Sequence, residues 1–425
     1  MRAIKYENSL RFARQLDKDD PLREFRGMYH MPLANGKKAI YLIGNSLGLQ
    51  PRSTKSIILE ELQDWATLAG EGHVHARRPW VQYHKLSKKY LAAITGAKPS
   101  EVVAMNQLTV NLHLMMVSFY RPTKHRYKIL TEAGAFSSDQ YAVESQLKYH
   151  GIDPQDGLIE VAPREGEFTI RTEDIISAIE QHRESLALVL IGCVQYYTGQ
   201  FFDLKKITEA AHAVGALAGF DLAHAVGNVP LELHDDNVDF AVWCSYKYLN
   251  SGPGAIAGAF VHERHATSFA LPRFAGWWGH DEEERFQMKK GFKPMSGIDG
   301  WQLSNVPILQ AAAHLSALEL FQKAGMKKLR KKSVMLTGYL YHLLKQMDPS
   351  GERFSIITPE NPEERGCQLS LFIRNNGRNV FNKLKKAGVI ADWREPNVIR
   401  VAPTPMYNTF EEVFRFCEIF SRLIK

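Results

Sequence analysis

Residues 217–254 read LAGFDLAHAVGNVPLELHDDNVDFAVWCSYKYLNSGPG. Two short apolar runs, Ala216–Phe220 and Phe240–Trp243, have the length and composition of buried strands. The first delivers Asp221, and the second delivers Tyr246 and Lys247. In open α/β sheets, side chains just past the carboxyl ends of the strands face the ligand crevice. The stretch therefore predicts a carboxylate and a lysine at one rim, on neighbouring strands. Pyridoxal phosphate chemistry requires that pair: the lysine forms a Schiff base, and the carboxylate keeps the pyridine nitrogen protonated so that the ring acts as an electron sink. An Asp and a Lys at this spacing occur together in many chains, so the assignment depends on what surrounds them.

Upstream, strands and helices alternate. EVVAMNQLTVNLHLMMVSFY reads as a strand, a polar corner and a helix beginning near Thr109. That corner offers free N–H groups and the positive end of a helix dipole to a phosphate. The strand YKILTEA, the helix SSDQYAVESQLKYHG, IEVAP, the helix TEDIISAIEQH, the strand LALVLIGCV and a helix over 203–214 follow. This alternation predicts right-handed crossovers and a mainly parallel sheet. A strand as continuously apolar as LALVLIG fits a sheet covered on both faces. GEGHVHARRPW reads as irregular, and helical patterning resumes from about Val81 to Thr95. Near Asn305-Val306-Pro307 the texture changes: two long helices lead into alternating strands FSIITP, CQLSLFI and VIRVAP. The expected organisation is an N-terminal segment (1–45) packed on the small domain, a large ligand-binding domain (46–306) and a smaller α+β domain (307–425).

The chain has 425 residues, 45% hydrophobic and 23% charged, ordinary for a globular enzyme with a sizeable core. No apolar run approaches the ~20 residues of a membrane span. MRAIKYENSLRFARQLDKDDPL lacks the apolar core of a signal peptide, and its acidic residues argue against a transit peptide. Four scattered cysteines form neither a disulfide framework nor a zinc pattern, which fits a reducing cytoplasm and no metal. The net charge of +7 raises nucleic acid as a partner. The only dense basic cluster, Lys327–Lys332, lies in a helical pattern and reads instead as a solvated face, so no nucleic-acid partner is expected.

Several segments carry a resemblance: YLIGNSLGLQP, GHVHARRPW, NQLTVNLHLMMVSF, AFSSDQYAVESQ, VQYYTGQ, GFDLAHAVGNVPLELHD, WCSYKYLNSGPG, AGWWGH, WQLSNVPIL, RGCQLS and IRVAPTPMYNTF. In these the chain resembles the kynureninases, fold-type-I pyridoxal-phosphate enzymes, over nearly its whole length. The resemblance implies a mainly parallel, seven-stranded-type α/β sheet like that of aspartate aminotransferase, and a smaller α+β domain. It also implies pyridoxal 5'-phosphate as cofactor, a homodimer, and hydrolysis of L-kynurenine or 3-hydroxy-L-kynurenine to anthranilate or 3-hydroxyanthranilate plus L-alanine, in tryptophan catabolism and NAD synthesis.

Residue by residue, the resemblance implies that Leu108 and Thr109 contact the cofactor phosphate, with Ser137 and Ser138 close by. Phe136 covers the pyridine ring and Asp139 hydrogen-bonds nearby. Asp221 pairs with the ring nitrogen, with His224 beside it. Tyr246 contacts the phosphate and serves acid–base steps, and Lys247 carries the cofactor. Trp277 and Asn305 complete the pocket from the partner subunit. His73, Ser304 and Asn305 line the aryl end of the substrate, and Arg400 clamps its carboxylate with a bidentate fork. One position departs from the pattern, with Gly192 standing where the family usually carries a hydroxyl.

Plainer roles compete with several of these. Asp221 would serve equally as an N-cap for the turn after it, and His224 and His73 as structural histidines. Arg400, in an apolar alternating strand, needs an anionic partner, which a substrate or an internal Asp or Glu would supply. Two rival functions remain: a cysteine desulfurase or lyase of the same fold, for which Cys367 is the candidate nucleophile although it reads as a strand residue, and a catalytically silent cofactor-binding scaffold.

Overall fold

The apolar run Leu186–Gly192 forms a strand in the middle of a seven-stranded sheet, and its two side-chain faces feed two different cores. In the computed structural model, which describes residues 5–266 and 270–424, Leu188 and Leu190 pack on one side of the sheet. Val189 and Ile191 pack on the other. Met1–Ile4 of the N-terminal segment and Lys425 of the C-terminal region lie outside the described residues.

The strands are β1 (Val102–Ala104), β2 (Lys128–Glu132), β3 (Leu158–Val161), β4 (Leu186–Gly192), β5 (Leu217–Asp221), β6 (Phe240–Trp243) and β7 (Gly258–Val261). Their spatial order is β1-β7-β6-β5-β4-β2-β3. All neighbours from β6 through β3 pair in parallel, whereas β7 runs antiparallel to both β6 and β1. Helices α1 (Leu10–Lys18), α2 (Ser53–Leu68), α3 (Leu108–Phe119), α4 (Ser137–Tyr149), α5 (Thr172–Gln181) and α6 (Leu204–Ala213) precede two long ones. Leu112, Met115 and Phe119 of α3 and Val143 and Leu147 of α4 cover one face of the sheet. Ile175 and Ile179 of α5 and Ile207 and Ala211 of α6 cover the other. A sheet buried on both faces needs strands apolar at successive positions, the pattern of β4. Gly219 is required by close approach, since a Cβ there would stand 2.1 Å from the Phe240 ring.

Helices α7 (Ile308–Ala324) and α8 (Met326–Met347) follow. Although the texture changes near residue 307, Ala312, Leu318 and Phe321 of α7 lie in the core of the large sheet. Leu329 of α8 still belongs to that core, and from Leu336 on the helix enters the second, so past residue 307 the change of core comes one helix later than the change of pattern. That core is closed by an antiparallel sheet of β8 (Phe354–Ile356), β9 (Leu369–Ile373), β10 (Asp392–Arg394) and β11 (Val398–Val401), in the order β8-β9-β11-β10. Helix α9 (Phe410–Leu423) packs against α8 and starts with a capping box, Thr409 Oγ1 accepting from the Glu412 N–H at 3.1 Å. Ala13 of α1 lies in this second core, and Asp17 accepts from the Phe410 and Glu411 N–H groups at 2.7 and 2.9 Å. Residues 40–41 pair in parallel with 389–390.

Three readings of the sequence need correction. The helix expected over 81–95 is two pieces, a 3-10 stretch Trp80–Lys85 and an α-helix Lys88–Thr95. GEGHVHARRPW contains a helical turn, Gly72–His75. The Lys327–Lys332 cluster is not wholly solvated: Lys332 is buried and paired with Asp20 at 2.7 Å, because its position falls on the core-facing stripe of α8.

Candidate functional site

Strands β5 and β6 lie side by side in parallel, and their carboxyl ends place Asp221 and Lys247 on one rim. A pocket there is lined by Leu108, Thr109, Phe136, Ser138, Asp139, Asp221, His224, Tyr246 and Lys247. Lys247 Nζ stands 3.0 Å from His224 Nε2. Burial, reinforced by the Lys247 charge, holds the His224 imidazole well below its usual pKa, so the neutral ring accepts from the ammonium. The Phe136 ring lies 5.8 Å from Lys247 Nζ and meets Tyr196 edge-on at 5.3 Å. Burial, with the Cys244 thiol beside it, pushes the Tyr246 phenol upward, so it remains a proton donor at neutral pH.

Asp221 Oδ1 accepts from the Ala223 N–H at 2.7 Å, so the turn-capping role exists, and the carboxylate still faces the pocket. Burial raises Asp221, and burial together with the Asp221 charge raises Asp139 well above the carboxylate range. Asp139 therefore holds the proton of the pair and donates it towards Asp221. The N-termini of α3 and α4 meet at the same rim, joined by a 2.8 Å hydrogen bond between Thr109 and Ser138 hydroxyls. Leu108 and Thr109, which open α3, line this end of the pocket, and first-turn N–H groups have no acceptor within their own helix.

Ser137 starts α4 but does not line the pocket. Trp277, Ser304, Asn305 and His73 are exposed and are not brought to Lys247 by this chain. The Trp277 indole instead donates to the Arg285 carbonyl at 3.0 Å, and His73 meets Trp80 edge-on. Arg400 is 1% exposed and already has an anion: its Nε donates to Asp392 Oδ2 at 2.6 Å, and its Nη1 donates to the Tyr196 carbonyl at 2.6 Å. Arg394 shares the same Asp392 oxygen at 3.0 Å. The internal partner foreseen for a buried arginine is thus Asp392. Two guanidiniums on one carboxylate leave a surplus positive charge next to Tyr196, which lines the pocket.

Comparison with known proteins bears on all of this. The family described as "Kynureninase C-terminal domain" matches residues 329–420. A kynureninase of Flavobacterium psychrophilum is 54% identical over 418 residues, 98% of either chain. One from Myxococcus xanthus is 57% identical, over 97% of this chain and 96% of its own. The chain belongs to the kynureninase family. Among solved structures, a cysteine desulfurase from Thermococcus onnurineus NA1 superposes with a TM-score of 0.75 at 16% identity, over 100% of this chain and 99% of its own. A C-DES mutant with glycine covalently linked to its PLP cofactor gives 0.73 at 16%, over 91% and 97%. At that identity the likeness establishes the fold, the α/β architecture of fold-type-I enzymes.

The desulfurase reading fails on this chain's own geometry. Cys367 lies in a bend just before β9, not in the strand, and it is fully buried. Burial pushes its thiol up to about 12, so at neutral pH it supplies no thiolate. Glu101, His234 and His262 hold ligand atoms within 4.8 Å, the one such cluster among the described residues. Glu101 Oε1 is occupied by the Glu263 N–H at 2.8 Å and His262 Nδ1 by the Arg264 N–H at 3.2 Å, so the cluster is tied to its own backbone.

Glu132 and Tyr196 are among the pocket residues that sequence reasoning passed over. Glu132 ends its strand in YKILTEA as Asp221 ends its own, so the strand-end rule would have found it. Tyr196 carries no such signal, since its place follows from how the loop after β4 meets the small domain.

Proposed function

We propose that this pocket carries out pyridoxal 5'-phosphate-dependent hydrolysis of the Cβ–Cγ bond of L-kynurenine or 3-hydroxy-L-kynurenine, releasing anthranilate or 3-hydroxyanthranilate and L-alanine. The observation that carries this reading is the delivery of Lys247 and Asp221 to one rim in a chain matched over its length by kynureninases. The pocket fits the cofactor. The buried Asp139 Oδ1 and His224 Nδ1 have no hydrogen-bond partner among the described residues, so polar capacity is left for a ring. Leu108, Thr109 and Tyr246 would hold the phosphate, Phe136 the ring face and Asp221 the ring nitrogen. When bound, the cofactor supplies an electron sink for charge developing at the substrate carbons.

The chain's own groups do the rest. Lys247 anchors the cofactor and, once released, takes the proton from the substrate α-carbon, with His224 fixing its Nζ at 3.0 Å. Asp221 presents a carboxylate to the ring nitrogen while Asp139 retains the pair's proton. Water adds to the aryl ketone carbon, and Tyr246, protonated at neutral pH, delivers a proton to the β-carbon as the Cβ–Cγ bond breaks, the oxygen of that water leaving in the carboxyl group of the aryl product. The surplus positive charge of Arg400, Arg394 and Asp392 attracts the substrate carboxylate.

The active unit in this reading is a homodimer. In support, Trp277 (46% exposed), His73, Ser304 and Asn305 stand clear of their own pocket and are free to complete a second one. A cytoplasmic setting in tryptophan catabolism and NAD synthesis accords with four buried, unpaired cysteines. No helix among the described residues is long and apolar enough to cross a membrane. Purified protein supplied with cofactor should release fluorescent anthranilate from kynurenine; absence of release from both substrates would overturn the reading.

A further inference from the structure

Glu132, Gly192 and Asp221 end three consecutive strands of the sheet, β2, β4 and β5. Gly192 lies opposite Asp221 in register. The Glu132 carboxylate lies over the glycine, its oxygens accepting from the Gly192 N–H at 3.1 and 3.3 Å. A Cβ at position 192 would stand 2.8 Å from Glu132 Oε1. The missing side chain is therefore the gap through which the outer carboxyl reaches across β4 towards the inner one. Glu132 is 3% exposed and lines the pocket that holds Asp139, Asp221 and Lys247.

We propose that Glu132, admitted by the absent side chain at Gly192, is a positioning residue for the cofactor nitrogen: its charge state sets how firmly the Asp139–Asp221 pair, and a ring bound against it, hold their proton. This inference rests on the reading of the pocket as a pyridoxal phosphate site. Asp221 faces Glu132 from β5 and Asp139 from α4, with Lys247 beyond them after β6 and Glu160 on the outer side from β3. The Thr131 hydroxyl donates to Glu132 at 3.2 Å. Three carboxyls around one ammonium in a buried space do not all ionise together. Burial, with the Asp221 charge adding to it, pushes Glu132 up to about 7 against the hydrogen bonds from Gly192 and Thr131. Its charge therefore changes around neutral pH.

Two variants separate the outcomes. E132Q keeps the shape and removes the ionisation, and G192S forces the carboxyl out of the gap. In the holoenzyme, ionised Glu132 favours protonated forms of its neighbours, so the pH midpoint of the visible cofactor absorbance should fall by about one unit in E132Q and shift the same way in G192S. A loaded E132Q whose titration superimposes on wild type overturns the proposal.

The apoprotein gives a second readout. A carboxyl whose folded pKa lies above its unfolded value stabilises the fold at low pH, and that contribution is lost as pH rises through the folded value. Wild-type apoprotein should therefore lose stability relative to E132Q between about pH 5 and about pH 8. Identical pH dependence of unfolding overturns the proposal. If wild type binds no cofactor, it is the reading of the pocket that has failed, and the apoprotein comparison still decides the role of Glu132. If E132Q does not fold, the G192S titration decides it, with an unmoved midpoint counting against.

Discussion

Lys247 is 9% exposed, yet its amine has a neutral acceptor, His224, and an aromatic ring close by, so it is held rather than free. Borohydride treatment of the holoenzyme should fix the cofactor on Lys247, and Lys247→Ala should abolish the linkage. Peptide mass spectrometry that finds the reduced adduct on another lysine would remove Lys247 from its role. Arg400 poses a different question, because Asp392 already occupies one edge of its guanidinium. In the proposed reading the substrate carboxylate would draw on the charge left over, through hydrogen bonds worth about 1.5–3 kcal/mol to a charged group. Arg400→Lys should raise KM by roughly tenfold or more with a smaller change in kcat, since an ammonium cannot reproduce the fork. An unchanged KM would place the carboxylate elsewhere. Substrate choice also belongs to single residues. In the proposed dimer His73, Ser304 and Asn305 would offer hydrogen bonds to a ring hydroxyl, and a site built around such bonds penalises the analogue that lacks the hydroxyl. Measured kcat/KM should favour 3-hydroxykynurenine over kynurenine; the reverse order defeats the assignment.

Elements carry the next set of constraints. The N-terminal helix α1 is tied to α9 through Asp17, which accepts from two N–H groups of the first turn of α9. Those groups have no partner inside their helix, so the carboxylate satisfies both and sits at the positive end of the dipole. Asp17→Ala should cost about 1 kcal/mol in denaturant unfolding, the usual value of a cap, without altering kcat. A loss of activity at full stability would mean that the N-terminal segment acts on the site directly. Strand and helix types were legible in the sequence where the apolar runs were continuous, as in β4 and β5. Strand β10, Asp-Trp-Arg, was not, because nothing in its short polar composition signals its pairing with β11, which sets Asp392 opposite Arg400.

On the scale of the whole molecule, the proposed site draws on two chains. Trp277 and Asn305 are exposed and do not line their own protomer's pocket; in the proposed homodimer they would complete the partner's. Lys247→Ala and Asn305→Ala proteins, each of low activity alone, should regain activity when unfolded together and refolded as mixed dimers, because one of the two sites then carries neither substitution. Absence of complementation, with mixed dimers detected by mass, would return Asn305 to its own chain's surface.

The sequence by itself determined the chemistry-bearing rim. Apolar runs end at Asp221 and at Cys244, just before Tyr246-Lys247, and strand direction alone puts their ends together. It also placed a helix start near Thr109, where a polar turn before an apolar helix leaves N–H groups free. Only the tertiary structure decided what the buried charges face: Asp392 on Arg400, Asp20 on Lys332, Asp139 on Asp221 and Glu132 over Gly192. The physical reason is range. Strand and helix patterns are set by near neighbours along the chain, whereas a buried charge is paired by whatever group the fold brings within a few ångströms, from strands and helices distant in sequence.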